Sequence, residues 1–161
     1  MIDPSAWRHQ YERHYRWLRD EAFRLLSVFA RVYTERLYED FLSDESNFGF
    51  KPVLVHGDLG CEHILCDQRS GRIVGIIDWG EVMVGDPTDD FAAIKVGLGG
   101  DLVSAVASSY AGASDAAFWR RVEWYTRVFR YYDIIHGLKT GLKTALEAGV
   151  RSVNSAAAGQ P

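Results

Sequence analysis

The residues best suited to chemistry in this sequence are two aspartates and a histidine, each at the edge of a short apolar segment. Asp58 and Asp78 follow such segments, and His63 precedes one. Reactive groups usually lie in loops or at strand ends that a rigid scaffold positions. We therefore expect these three side chains to face one cleft.

Such a set of groups fits phosphoryl transfer to a hydroxyl group. One carboxylate, Asp58, can accept the proton of the hydroxyl and fix its line of attack. A second, Asp78, can hold the Mg²⁺ that neutralises charge on a nucleoside triphosphate. His63 is expected near the same metal.

The elements that must position these residues are short strands between helices. Three strands are predicted, with a hairpin turn at residues 68–71 between the last two. The sequence predicts a mostly helical α+β fold, organised as one domain. Its parts are a helical region at 1–50, a hairpin region at 51–95 that carries both loops, a helical region at 96–150 and a frayed tail at 151–161.

Several helix boundaries follow from local patterns. Apolar residues recur every three or four positions from residue 11 to residue 32, which predicts one continuous amphipathic helix. Gly137 and Gly141 are expected to break or bend a later helix. Helix N-caps are predicted at Asp3, Asp86, Asp101 and Ser114.

Composition excludes several classes of protein. The chain has 161 residues, a net charge of −4 and 47% hydrophobic residues, which suits a folded domain. The acidic balance argues against a nucleic-acid partner, and no apolar run reaches the roughly 20 residues that cross a membrane. The first residues lack a signal-peptide pattern. Two cysteines, Cys61 and Cys66, are too few for a disulfide scaffold and favour a cytoplasmic location.

Two neighbouring segments carry a resemblance to a known family. They read VLVHGDLGCEHIL and GIIDWGEVMVGDPTDDFA. They resemble the C-terminal lobe of the aminoglycoside phosphotransferase family, a branch of the protein-kinase-like fold. HGD stands in the place of the HRD of protein kinases, IIDWG in the place of DFG, and GDPTDD resembles the family's GDP-x-x-D segment. The resemblance is tight over residues 52–95 and rests on the order of these motifs.

The resemblance implies a role for each matching residue. Asp58 would be the catalytic base or the group that orients the hydroxyl, and Asp78 would bind the Mg²⁺ that bridges the nucleotide phosphates. His56 would support the loop through hydrogen bonds, while Asp86 and Asp90 would brace the loop backbone. The implied co-substrate is ATP or GTP, and the implied substrate is a hydroxyl-bearing small molecule, such as an aminoglycoside antibiotic or a metabolite.

Two features depart from the kinase pattern. His63 stands where the pattern H-R-D-L-x-x-x-N has Asn. Because Mg²⁺ prefers oxygen ligands and imidazole suits softer ions, the metal and its binding by His63 stay open. Residues 1–50 hold no Gly-rich loop and no strand lysine. We therefore expect the N-terminal nucleotide-binding lobe to be absent from this chain, and the isolated chain to have little or no activity.

Other interpretations stay open at this point. The chain could be a non-catalytic kinase-like module that binds a ligand or partner. It could also associate with a second copy of itself through the face left by the missing lobe. Glu123 and Asp133 could bind a cationic substrate, or they could be solvated helix residues. The sequence does not decide the substrate, the choice between ATP and GTP, or the oligomeric state.

Overall fold

The computed structural model describes residues 4–112 and 116–159. The chain forms two compact units. The strand-bearing unit is Phe50–Thr126, and the helical unit comprises the described parts of Asp3–Gly49 and Arg127–Pro161. In the described ranges, no helix combines the length and the apolarity that crossing a membrane requires.

Seven α-helices occupy the described residues, which confirms the predicted mostly helical fold. They are α1 (Pro4–Trp17), α2 (Val28–Ser43), α3 (Thr88–Leu98), α4 (Gly100–Ser108), α5 (Ala116–Val128), α6 (Tyr132–Thr140) and α7 (Lys143–Ala158). Two of the predicted N-caps, Asp3 and Ser114, lie outside the described residues. Asp101 was also predicted as an N-cap, but it lies in the first turn of α4, whose N-cap is Gly99.

The strand-bearing unit contains four short strands among its described residues. They are β1 (Val53–Val55), β2 (Ile64–Cys66), β3 (Ile73–Ile76) and β4 (Met83–Gly85). β1 pairs antiparallel with β4, and β2 pairs antiparallel with β3. The sequence predicted the first three strands and missed β4. Only two apolar side chains mark β4, and its pairing with β1 is non-local, so no local periodicity reveals it.

The hairpin between β2 and β3 closes as the sequence predicted. The Asp67 carboxylate accepts hydrogen bonds from the Ser70 backbone N–H at 2.8 Å and from the Ser70 hydroxyl at 2.7 Å. Gly71 then adopts φ +67°, a left-handed conformation that glycine tolerates best. This local turn fixes the register of the two strands that flank His63 and Asp78.

Aromatic side chains form the core of the strand-bearing unit. Phe91 of α3 and Phe118 of α5 are buried and meet edge to face, with ring centroids 5.0 Å apart. Tyr110 contacts Phe91 at 5.2 Å. α3 begins at Thr88 with Pro87 as its N-cap, one residue after the predicted Asp86, whose carboxylate accepts a hydrogen bond from the Thr88 backbone N–H at 3.0 Å. This core holds α3 in place behind the loops that carry the candidate site.

The predicted continuous helix over residues 11–32 is interrupted in the helical unit. A π-helical turn (Leu18–Ala22) and a 3-10 turn (Phe23–Leu25) follow α1, and Leu26 is extended. The Ser27 hydroxyl then caps α2 by accepting a hydrogen bond from the Ala30 backbone N–H at 3.2 Å. Because α2 starts afresh, Phe29 is 80% exposed although it continues the apolar spacing. The N-cap therefore overrides the periodicity.

The end of the chain corrects two expectations. The tail predicted to fray, residues 151–161, is helical as far as Ala158, and Val153 is fully buried. Gly137 does not break its helix, since α6 runs through it from Tyr132 to Thr140. A Cβ at this position would lie 2.5 Å from the Leu146 backbone nitrogen, so the glycine lets α6 and α7 approach closely. Gly141 does end α6, with φ +76°.

Candidate active site

The HGD loop, residues 56–63, follows directly on β1. Gly57 has φ +80°, and a Cβ there would lie 2.5 Å from the Glu81 carbonyl oxygen. Only glycine therefore fits this turn without a backbone shift. The turn leaves the His56 ring buried and the Asp58 side chain exposed. Asp58 thus stands at the surface on a backbone whose path is tightly constrained.

Asp90 of α3 holds the backbone of the HGD loop. Its carboxylate accepts a hydrogen bond from the His56 N–H at 2.8 Å and another from the Gly57 N–H at 3.1 Å. Hydrogen bonds to an ionised acceptor are stronger than those between neutral groups. This pair of bonds, the Asp90 clamp, fixes the backbone directly before Asp58.

The His56 ring joins the HGD loop to the segment that carries Asp78. Its Nε2 lies 2.9 Å from the Ile77 carbonyl oxygen, so Nε2 carries the proton and donates it. Nδ1 is buried without a hydrogen-bond partner among the described residues. The ring also contacts Trp79, with centroids 4.7 Å apart. His56 is therefore a structural link between two loops.

His63 links Asp58 and Asp78 more directly. Its Nδ1 lies 2.7 Å from the Asp58 carbonyl oxygen, so the Nδ1–H donates to that oxygen. The Gly60 backbone nitrogen lies at a longer distance, 3.4 Å, from the His63 Nδ1. In a neutral ring, Nε2 then keeps its lone pair, and it lies 3.7 Å from Asp78 Oδ2. The hydrogen bond to Asp58 thus orients a potential ligand atom toward Asp78.

Asp78 adopts a conformation that is rare for its residue type. It has φ +63° and ψ +58°, the one left-handed residue other than glycine in the described part of the chain. Aspartate tolerates this region better than most residues, yet such outliers persist only where the surroundings impose them, and they cluster at functional sites. The Asp78 side chain is 65% exposed, so its carboxylate is accessible to a ligand.

Asp86 is a buried brace behind these loops. Its second carboxylate oxygen accepts a hydrogen bond from Arg121 Nε at 2.8 Å, in addition to the bond from the Thr88 backbone. Burial raises the pKa of Asp86, while Arg121 opposes that shift. Arg121 was not predicted from the sequence. The signal was its helical phase, since it lies three residues after Phe118 on the buried face of α5.

Asp89 is a second buried carboxyl group that the sequence did not reveal. Its side chain is 7% exposed. Burial raises its pKa to about 7, and the nearby carboxylates of Asp90, Asp86 and Asp58 act in the same direction. Its position in the first turn of α3 is typical of a solvated carboxylate, and no sequence pattern distinguishes it from one.

The residues present fit a divalent cation that is shared with another ligand. No group of three or more His, Cys, Asp or Glu side chains converges as a metal site in the parts of the chain that are described. Asp78 and His63 offer one carboxylate and one imidazole nitrogen. Mg²⁺ usually keeps several waters and binds through one or two carboxylates plus substrate phosphates. A pair of donors beside an open surface meets that requirement.

The two weaker candidates lie on helices and not in these loops. The Glu123 carboxylate on α5 pairs with the Lys95 ammonium group of α3. Asp133 belongs to the helical unit, where it is exposed on the first turn of α6. The loops therefore bring together three of the predicted site residues, Asp58, His63 and Asp78, with His56, Asp86 and Asp90 in support.

Three known proteins illustrate what this chain is similar to. Viomycin phosphotransferase from Streptomyces vinaceus is 28% identical over 149 residues, which are 91% of this chain and 50% of that protein. The GDP and kanamycin complex of APH(2")-IIia superposes with a TM-score of 0.87 at 20% identity, over 96% of this chain and 52% of that one. Macrolide 2'-phosphotransferase type I gives 0.79 at 22% identity, over 94% and 49%.

The similarity covers only part of each of these proteins. The chain spans about half the length of the relatives it matches. At this level of identity, the solved structures share its fold, which is protein-kinase-like. The sequence profile of the phosphotransferase enzyme family (APH) matches residues 2–127, well over half of the chain. The chain therefore belongs to the phosphotransferase enzyme family.

Proposed function

We propose that this chain is the catalytic half of a nucleotide- and Mg²⁺-dependent phosphotransferase that phosphorylates a hydroxyl group of a small molecule. One observation carries the proposal. The His63 ring contacts the Asp58 backbone at 2.7 Å and the Asp78 carboxylate at 3.7 Å, which brings two accessible carboxylates to one small region. Phosphoryl transfer needs such a pair, one for the acceptor hydroxyl and one for the metal.

Asp58 is the proposed catalytic base. Its carboxylate is exposed, so an acceptor hydroxyl can approach it, and the Asp90 clamp holds the backbone before it. Asp58 would orient the hydroxyl and receive its proton as the oxygen attacks the terminal phosphorus. Positioned groups of this kind typically contribute a factor of about 10² to 10⁴ in rate.

Asp78 and His63 are the proposed metal ligands. Asp78 would contribute a carboxylate oxygen, and His63 would contribute Nε2, the ring nitrogen that does not bond to the Asp58 carbonyl. When bound, Mg²⁺ supplies charge neutralisation for the nucleotide phosphates. The His56 and Asp90 hydrogen bonds keep the two loops in register around this position.

The proposed substrates follow from the relatives. One relative is a viomycin phosphotransferase, one is a macrolide phosphotransferase and one was solved with kanamycin. We therefore propose a hydroxyl-bearing antibiotic or a related metabolite as acceptor, with a role in antibiotic resistance. GDP in the kanamycin complex supports ATP or GTP as donor. Because these nucleotides are abundant inside cells, we propose a cytoplasmic location. Glu123 and Asp133 remain candidates for cationic groups on the acceptor, and Glu123 would first have to release Lys95.

A partner is proposed for the exposed apolar side chains of the strands. Leu54 of β1 is 68% exposed, and Val74 and Ile73 of β3 are 67% and 61% exposed. Exposed apolar surface on a folded chain often marks an interaction site. We propose that an N-terminal nucleotide-binding lobe, or a second copy of the chain, covers some of these side chains. A binding module without turnover would need the same contacts, so this exposure alone does not separate the two functions.

A transfer assay separates them. The 161-residue chain is incubated with Mg²⁺, radiolabelled ATP or GTP, and viomycin or kanamycin, beside Asp58→Asn and the control Asp101→Asn, whose side chain is exposed on α4. We expect slow transfer by the wild type, a loss of about 100-fold or more in Asp58→Asn, and no change in the control. Equal transfer by Asp58→Asn would contradict the role of Asp58. An absence of transfer to every acceptor would favour the binding module only if it persists after any upstream coding sequence is restored.

A further inference from the structure

Asp89 stands out because it is buried beside the HGD loop with no group to neutralise it. It is the second residue of α3 and is 7% exposed. In the described part of the chain its carboxyl group has no ion pair and accepts no hydrogen bond. Buried carboxylates are costly unless they are paired or hydrogen-bonded. A carboxyl group in this position therefore favours its neutral form.

The groups around Asp89 increase that preference. Three carboxylates act to raise its pKa: Asp90 and Asp86 of its own segment and Asp58 of the HGD loop. The guanidinium of Arg121, which reaches this region from α5, is bonded to Asp86 at 2.8 Å. Among the described residues, no cationic side chain forms an ion pair with Asp89. Burial and three neighbouring carboxylates together raise its pKa to about 7.

The position of Asp89 connects it to the HGD loop through the next residue. Asp90 accepts the hydrogen bonds from the His56 and Gly57 backbone N–H groups. A negative charge on Asp89 would lie beside the negative charge of Asp90 and near that of Asp58. Since Asp89 is buried, water screens its charge poorly, and separation of α3 from the loop would relieve the repulsion.

We propose that Asp89 is a positioning residue for the HGD loop that works in its neutral, protonated form, and that loss of its proton loosens the Asp90 clamp. Only the consequence for catalysis rests on the proposed function of Asp58. The expected direction follows from proton linkage. The folded chain keeps a proton on Asp89 up to about pH 7, whereas an opened or unfolded chain loses it near pH 4. The stabilising effect is complete below pH 4, falls between pH 4 and pH 7, and stays low above that.

Hydrogen exchange of the clamped amides tests the proposal locally. Between pH 5 and pH 7 we expect the protection factors of the His56 and Gly57 amides to fall, by at most about tenfold per pH unit, and then to level off. In Asp89→Asn, which imitates the neutral form, these factors should be independent of pH. In the control Asp101→Asn, an exposed first-turn aspartate of α4, they should follow the wild type. Identical pH profiles in Asp89→Asn and the wild type would overturn the proposal.

A second measurement needs no variant, and so it decides the case even if Asp89→Asn fails to fold. The ¹³C shift of the Asp89 carboxyl carbon is followed against pH in the wild-type chain. A midpoint near pH 7 supports the proposal, and a midpoint below pH 5 overturns it. Neither experiment contains nucleotide or acceptor. A failure of the proposed function would therefore appear in the transfer assay, and a failure of this inference would appear here.

Discussion

At the scale of single residues, the candidate site depends on backbone conformation as much as on side-chain chemistry. Gly57, directly before Asp58, has φ +80°, and Asp78 itself has φ +63°. Both carboxylates therefore depend on a residue with positive φ. Asp78 accepts a conformation that costs most residues about 1–3 kcal/mol. The site thus combines an aspartate in a strained conformation with a glycine that no other residue can replace without a shift of the backbone.

Replacement of Gly57 should show how tightly the HGD loop is held. In Gly57→Ala the methyl group would meet the Glu81 carbonyl oxygen and add the left-handed strain of about 1–2 kcal/mol. We expect a loss of at least about 2 kcal/mol, or a melting temperature lower by roughly 4–8 °C. Thermal unfolding followed by circular dichroism measures it.

The matched control is Gly71→Ala in the hairpin turn. Gly71 has φ +67°, and no atom lies within 4 Å of the point that an added Cβ would occupy, so this change carries the strain without the clash. We expect it to cost about half as much or less. Equal losses in the two variants would show that the close approach to Glu81 is unimportant.

Much of this site could be predicted from sequence, and a definable part could not. The order of HGD, the hairpin and IDWG predicts that Asp58, His63 and Asp78 lie close together, because local turns carry the chain between them. The burial of Asp89 and the pairing of Arg121 with Asp86 depend on how α3 and α5 pack. An exposed and a buried aspartate in a first helical turn have the same sequence signature.

At the scale of elements, local signals competed with periodicity. Ser27 ends an apolar pattern that is continuous in the sequence, and it starts α2 in a new phase. The prediction of a frayed tail was wrong because tertiary contacts outweigh the local sequence signal there. Its small side chains are typical of frayed ends, but Val153 is buried and Asn154 accepts a hydrogen bond from the Ser27 backbone at 3.0 Å. Tertiary contacts thus make a helix of a segment with a weak local preference.

The contact between α6 and α7 gives a prediction at this scale. In Gly137→Ala the methyl group would lie within 3 Å of the Leu146 backbone, and a helix backbone cannot move aside cheaply. Overpacking of this kind costs about 1–3 kcal/mol, and the gain in helix propensity offsets roughly 1 kcal/mol of that cost. We expect a net loss of up to about 2 kcal/mol in urea unfolding.

Gly100→Ala is the control for helix propensity. Gly100 begins α4 in open space, so an added methyl group meets nothing. We expect unchanged or slightly higher stability. A Gly137→Ala variant as stable as Gly100→Ala would contradict the close approach of α6 and α7.

At the scale of the whole molecule, two buried groups set opposite responses to pH. Burial, with a contribution from Lys139, lowers the pKa of His14 to about 4, and the His14 Nδ1 lies 3.0 Å from the Tyr38 hydroxyl. Between pH 6.5 and pH 4, His14 is therefore protonated in the unfolded chain and neutral in the folded chain. The free energy of unfolding thus decreases as pH falls toward 4. Asp89 removes stability as pH rises from 4 toward 7. Each slope is about 1.4 kcal/mol per pH unit at most.

We therefore expect the two slopes to offset each other in the wild type between about pH 4.5 and pH 6.5. In His14→Gln the melting temperature should fall as pH rises through this range, because the Asp89 effect remains. In Asp89→Asn it should rise, because the His14 effect remains. His9→Gln is the control, since the His9 side chain is 61% exposed. A His14→Gln profile that matches the His9→Gln profile would contradict the assignment to His14.

Binding of the metal-nucleotide complex tests the central claim most directly. Melting temperatures of the 161-residue chain are compared with and without about 10 mM Mg²⁺ and ATP or GTP, for the wild type and for Asp78→Asn. Asparagine tolerates the left-handed conformation of Asp78, so the variant removes the charge and keeps the loop. We predict a rise of about 3–5 °C for a ligand present at roughly ten times its Kd, lost in Asp78→Asn. No rise in the wild type, or an equal rise in both, would contradict a metal-nucleotide site at Asp78.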